Sequence, residues 1–410
     1  MKNDKVMAAV LLVMGLAVPA AAQHEQHQAA APARPSWMLM QDGIVFGMFN
    51  HQGGPRGGDE FRVPNWWMGM MSRKVGKGDL TLTSMLSLDP ATVGKSGYGE
   101  IFQVGETLNG APLVDRQHPH DFIMQLAAVW RVPLNERTGF TIAGGPAGEP
   151  ALGPVAFMHR LSAAEMPLAP LGHHTFDSTH IAYGVITAAL DRGPWVIEGS
   201  IFNGREPDEH RWDFDFGRLD SVSGRVWFKP TDRWEFQVST GHLVEPEELE
   251  PGNVQRSTAS ASWIKRDGTN FSAFTAAIGV NRAHETSRYA FFGEATHRIG
   301  RTALFGRAEV VDVETEKLLL GGGHSHGGAS LKDTVTAFSI GVMRDVATWR
   351  GFELGLGGNL TAHAVPAALR ETHGDDPVSF QIFFRVRPPA PMGRMFNMRM
   401  SRPLAGHGGH

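Results

Sequence analysis

The chain has 410 residues, 42% of them hydrophobic and 20% charged, with a formal net charge of −4 and no cysteine. That small charge, with no long basic run, argues against a nucleic-acid partner, and without cysteine no disulfide can hold the fold. Beyond the first apolar segment there is no apolar run of about eighteen residues, so no transmembrane helix is expected.

The N-terminus reads as an export signal. Lys2 and Lys5 supply positive charge, Met7 to Val18 is apolar but too short to span a bilayer, and Ala20-Ala21-Ala22 offers small residues for cleavage. Residues 1–22 are therefore expected to be a signal peptide. Residues 23–36, rich in Gln, His, Ala and Pro, read as a disordered leader, and residues 388–410 as a tail containing Met and His.

Between them, over 37–387, strand-like segments recur: 37–50, 65–73, 79–89, 122–132, 137–146, 179–190, 194–203, 220–229, 233–243, 254–265, 269–281, 286–297, 301–312, 333–344, 350–363 and 377–387. Each is long enough for a tilted membrane strand of about 9–11 residues. Every second gap is short and rich in turn formers: Lys74 to Gly78, Pro133 to Glu136, Asp191 to Gly193, Pro230 to Asp232, Arg266 to Gly268, Arg298 to Gly300 and Asp345 to Trp349. The intervening gaps are mostly long: 51–64, 90–121, 147–178, 204–219, 244–253, 313–332 and 364–376, with 282–285 the exception.

This alternation predicts an all-β fold, a transmembrane antiparallel up-and-down β-barrel of about sixteen strands with long extracellular loops and short periplasmic turns. A sheet in lipid must close, because no open edge can be hydrated there. The residue period within strands is two. Trp195, Ile197 and Ile201 oppose Glu198 and Ser200; Val222, Val226 and Phe228 oppose Ser223, Arg225 and Lys229. Trp234, Phe236 and Val238 oppose Glu235, Gln237 and Ser239; Val378, Phe380, Ile382, Phe384 and Val386 oppose Ser379, Gln381, Arg385 and Arg387. The apolar face suits lipid and the polar face a wet lumen, although a soluble sandwich shares the same period. Trp37, Trp130, Trp195, Trp227, Trp234, Trp263 and Trp349 flank the short turns, with Trp66 and Trp67 at an opposite end, and read as an aromatic girdle.

Signal, strand pattern, girdle and loop asymmetry together resemble bacterial porin-like outer-membrane proteins over roughly 37–387. The resemblance implies the outer membrane of a Gram-negative cell, surrounding lipid, passage of small polar solutes or ions, and a homotrimer. One feature departs from it: such chains usually end in a strand with a terminal aromatic residue, whereas here a tail follows Arg387, unless Met392 to Met400 forms a further strand.

The charged residues expected to line the lumen are Glu198, Arg225, Lys229, Glu235, Arg307, Glu309, Glu353, Arg385 and Arg387, with loops 90–121 and 147–178 narrowing it. Those loops and 204–219 are dense in His, Asp, Glu and Arg. A divalent-metal reading takes His118, His120, Asp121, His173, His174, Asp177, His180 and His210 as ligands, which suits copper or zinc. His24, His27, His324, His326, His407 and His410 repeat the theme. Methionines at 38, 40, 48, 68, 70, 71 and 85, and at 392, 395, 398 and 400, add thioethers that favour copper(I). The alternative is structural: the same side chains brace inward-folded loops, and methionine fills gaps. A third reading, an outer-membrane hydrolase, rests on Asp177, Ser178 and His180 as orienter, nucleophile and base, but neighbouring positions seldom give triad geometry. No catalytic residue is assigned and the chain is not expected to be an enzyme.

Overall fold

The computed structural model describes residues 37–283, 286–320, 331–388 and 399–401. The expected signal peptide and leader, His324 and His326, and the tail histidines His407 and His410 lie outside the described residues, as do Met392, Met395 and Met398.

The wall begins with β1 (Met38–Gln52), β2 (Gly58–Arg62), β3 (Asn65–Val75) and β4 (Gly78–Leu86). It continues with β7 (Ile123–Asn135), β8 (Thr138–Gly148), β9 (Ala182–Arg192), β10 (Trp195–Phe202), β11 (Ser221–Phe228), β12 (Trp234–Leu243) and β13 (Val254–Asp267). The last wall strands are β14 (Asn270–Ala283), β15 (Thr286–Ile299), β16 (Thr302–Glu314), β17 (Lys332–Trp349), β18 (Phe352–Ala364) and β19 (Val378–Arg387). These form one 17-stranded antiparallel sheet that closes where β1 pairs with β19, Val45 facing Val386 and His51 facing Phe380. Both β2 and β3 pair with β1 and are split at Pro64, whose carbonyl accepts from Phe46 N at 3.0 Å. They are two halves of one wall strand, so the barrel has 16 strands. Closure leaves no sheet edge, the condition for crossing lipid with strands.

Every expected strand segment overlaps a wall strand. Three details differ. The proposed turn at 345–349 lies within β17, which is irregular between Asp345 and Ala347; the reversal falls at Arg350-Gly351, both at positive φ. The short β2 was read as loop, because Pro64 interrupts its pattern. The 90–121 loop contains a hairpin of its own, β5 (Tyr98–Leu108) and β6 (Ala111–Gln117). Its turn, Asn109-Gly110 with φ +54° and +74°, is the usual two-residue hairpin signal.

The barrel is apolar outside and polar inside. Along β10, Trp195, Ile197 and Ile201 are exposed while Glu198 and Ser200 are buried; along β12, Trp234, Phe236 and Val238 are exposed while Glu235, Gln237 and Ser239 are buried. A water-soluble sandwich would show the reverse. Trp37, Trp130, Trp195, Trp234 and Trp349 are exposed beside short turns, as a girdle requires. Trp227 is not part of it. It shares the parity of Arg225, lies 2% exposed inside the barrel, and donates from Nε1 to Glu198 at 2.7 Å. Trp66 likewise is buried, edge-on to His159.

Candidate functional site

The 149–181 segment between β8 and β9 does not stand away from the barrel. It folds inward as short turns, and the lumen wall holds it through charged side chains. Arg160 donates to Glu294 on β15 at 2.6 Å and to Asp177 at 2.9 Å, and Arg307 on β16 reaches the same glutamate at 3.0 Å. Ser162 donates to Glu294 at 2.9 Å, and its hydroxyl oxygen is hydrogen-bonded to the Thr275 hydroxyl on β14 at 2.8 Å. Glu165 meets Arg385, Arg387 and Arg298. Arg225 on β11 binds Glu198 at 2.7 Å, Glu149 at 3.1 Å and the carbonyls of Leu152 and Gly153. Buried charges survive only when paired and hydrogen-bonded, so this pattern fixes the loop in one position.

A second insertion comes from the C-terminal side. Residues 399–401 add no strand to the wall sheet. Instead, Arg399 pairs with Glu235 at 3.3 Å and lies 3.6 Å from the Trp227 ring centre, and Ser401 hydrogen-bonds Glu198. Of the nine residues expected to line the lumen, Glu198, Arg225, Glu235, Arg307, Arg385 and Arg387 are buried in contacts with these two insertions. Glu309 is buried on β16, Lys229 pairs with Glu235, and Glu353 lies on β18 opposite Arg387.

Around the head of the inserted loop, five imidazoles gather. His118 follows β6, His120 lies two residues on, and His173, His174 and His180 end the 149–181 segment. Ring centres of His118, His173 and His174 are 5.2–5.6 Å apart, and His173 to His180 and His180 to His120 are 5.3 and 5.6 Å. In four of them Nδ1 is held: His173 by Asp177 at 2.8 Å, His174 by Glu206 at 3.0 Å, His180 by the Asp177 carbonyl at 2.7 Å, and His120 by Asp89 at 2.9 Å. The Nε2 atoms of His173, His174 and His180 are buried without a hydrogen-bond partner. Nε2 of His118 faces Glu106 at 3.2 Å.

Burial, then the neighbouring imidazoles, pushes His118 and His180 well below the usual histidine value. Burial also lowers His173 against the pull of Asp177. His174 goes the other way: burial opposes its charge, but Glu206 outweighs it and raises the value. Beside it, burial and the nearby Glu206 carboxylate push Glu247 up to about 7. One ligand atom each from His174, Glu206 and Glu247 lies within 4.8 Å of the others.

Six of the eight sequence-derived ligand candidates, His118, His120, His173, His174, Asp177 and His180, thus come together. Asp121 and His210 do not. Asp121 faces Arg211 at 3.4 Å, and His210 is exposed beside Asp208 at 3.3 Å. Glu106, Asp89 and Glu247 escaped notice. Nothing local marks them, because their roles arise from chain crossings, although Glu206 lies in the 204–219 loop. The hydrolase geometry is not formed: Ser178 Oγ accepts from Arg256 at 3.0 Å, while His180 Nδ1 is engaged by a backbone carbonyl.

Behind His180, a small cavity is lined by Met68, Met85, Met124 and Met158, together with His159, Gln125, Glu149 and Arg399. These methionines are nearly inaccessible, in a lumen otherwise rich in polar side chains. Burial pushes His159 down to about 4, and its Nδ1 has no hydrogen-bond partner.

No family model matches this chain, and no curated protein does. Solved structures do match. An anion-selective porin from Comamonas acidovorans aligns with a TM-score of 0.53 at 10% identity, over 86% of this chain and 100% of that one. OprB of Pseudomonas putida aligns with 0.53 at 9%, over 86% and 94%. Salmonella typhi OmpF, in complex with daunomycin, gives 0.52 at 7%, over 85% and 97%. At such identities the likeness is one of architecture: the chain has the 16-strand fold of bacterial outer-membrane porins.

Proposed function

We propose that this chain is an outer-membrane channel of a Gram-negative cell that passes small polar solutes or ions, with its lumen narrowed by inward-folded loops. The observation that carries this reading is the inversion of the barrel: apolar residues outside, and inside a lumen wall of paired charges gripping the 149–181 segment. A protein of this plan needs lipid around it, and its charged interior suits a water-filled lumen narrowed by loops. On this reading the chain is exported by residues 1–22 and the barrel assembles as a homotrimer.

Planar-bilayer recording on refolded protein tests the reading. The wild type is expected to give small discrete conductance steps. Arg160→Ala combined with Glu165→Ala, which frees the loop, is expected to enlarge them severalfold. Absence of steps in both proteins would overturn the proposal.

A further inference from the structure

The five imidazoles exceed what bracing a loop requires. A bracing histidine uses both ring nitrogens, or turns one to water. Here Nδ1 is held in four rings by a carboxylate or a carbonyl, and in three of these Nε2 is buried and bare. That is how metal-ligating histidines are arranged: the outer hydrogen bond fixes tautomer and ring orientation and leaves the other lone pair for the ion. Three imidazoles around one tetrahedral ion at about 2.0–2.1 Å bring their ring centres to about 5 Å from one another. The His118, His173 and His174 rings are already 5.2–5.6 Å apart, and Glu106, which lies beside His118 and is also paired with Arg211, supplies a carboxylate. The nitrogens do not yet share a common point, so metal binding exchanges at least one Nδ1 contact, such as that of His174 with Glu206, for the ion.

We propose that His118, His173 and His174, with Glu106, form a transition-metal site at the head of the inserted loop, and that its metal is copper. Imidazole and carboxylate alone would suit zinc equally. The methionine-lined cavity decides between them. His180 lies 5.3 Å from His173 and also lines that cavity, so the imidazoles adjoin a space lined by Met68, Met85, Met124, Met158 and Met400 as well as by Glu149 and Arg399. Thioethers select copper(I) and have little affinity for zinc. The inference adds a ligand to the channel reading without depending on conductance, so a barrel that binds copper but carries no current would separate the two.

The test uses the full mature chain in detergent, with His24, His27, His324, His326, His407 and His410 changed to Ala so that they cannot contribute. Copper(II) is added, excess removed, and metal per barrel measured with the electron paramagnetic resonance spectrum. About one copper per barrel with imidazole nitrogen coupling is expected. His118→Ala with His173→Ala should abolish it. His174→Gln, at a more accessible position, should weaken binding at least tenfold even if the double variant fails to fold. No bound copper in the histidine-reduced chain, or copper undiminished in folded His174→Gln, would overturn the site. In a second arm silver(I) stands in for copper(I): Met68→Leu with Met124→Leu should lower silver uptake by one ion per barrel, and unchanged uptake would overturn the choice of copper.

Discussion

Arg160, in the segment after β8, donates from Nε to Glu294 on β15 at 2.6 Å, and neither side chain is more than 2% exposed. The two residues are 134 positions apart in sequence. Their pairing converts an external loop into an internal one. Removing one partner of a buried pair leaves the other charge uncompensated, at a typical cost of about 3–5 kcal/mol. Arg160→Ala also strips Asp177 of a partner. The cost should fall on loop docking more than on the wall ladder, which is hydrogen-bonded independently. Limited proteolysis should therefore cleave within 149–181 in the variant and spare the wild type.

The outward face makes a separate prediction. Ile340 projects from the middle of β17 and is 59% exposed. Arginine on the lipid face near the bilayer midplane costs about 2–4 kcal/mol. Ile340→Arg should lose stability of that order in guanidinium unfolding from vesicles. Ser339→Thr, on the lumen side beside Thr361, should change little.

The anchor at Glu165 is sensitive to acid. Burial opposes its charge, but Arg385, Arg387 and Arg298 outweigh this and hold its carboxyl below the ordinary value of 4.5. Asp345 shares Arg385 and Arg298, and the arginines do not titrate in the range concerned. A carboxyl depressed in the folded state contributes stability above its unfolded value, and that contribution is lost as pH falls through the folded one. Loop docking through Glu165 should therefore hold from neutral pH down to about the ordinary glutamate value and fail only at stronger acid. Conductance should rise there in the wild type. Glu165→Gln should show the raised conductance already at neutral pH.

The tail carries a parallel expectation. Arg399 fills the space between Trp227, Glu198 and Glu235 on the inner wall. Ending the chain after residue 388 should widen the short-turn end of the lumen, and single-channel steps should grow without loss of barrel stability, since β1 and β19 close the wall without the tail.

The wall was legible because lipid imposes two simple rules, closure and a period of two, and both leave marks in composition. All sixteen strand segments, such as Trp195 to Phe202, could be read from alternation and turn residues. The parity that places Arg225 inside also places Trp227 inside, and reading that tryptophan by its proximity to a turn put it on the wrong face. The histidines of the site were visible as residue types. Loops on one rim suggest that they converge, but not with what geometry, because loops have no period. Nothing near Glu106 or Glu247 announces that the chain brings them to His118 and His174. Loop length leads to the expectation that 147–178 narrows the lumen, but the partners that hold it there, Glu294, Arg307 and Arg385, lie on distant strands and leave no local mark.

The chain has no cysteine, so the inward position of that loop can be tested by introducing a pair. Ser162 in the loop and Thr275 on β14 touch through their hydroxyls at 2.8 Å, so cysteines at the two positions would face each other. A full-length Ser162→Cys, Thr275→Cys variant, refolded and then oxidised, should form an intramolecular disulfide in nearly every barrel, seen as loss of both free thiols with no dimer. Two thiols that stay free and react with a membrane-impermeant reagent would place the loop outside the lumen and contradict the account.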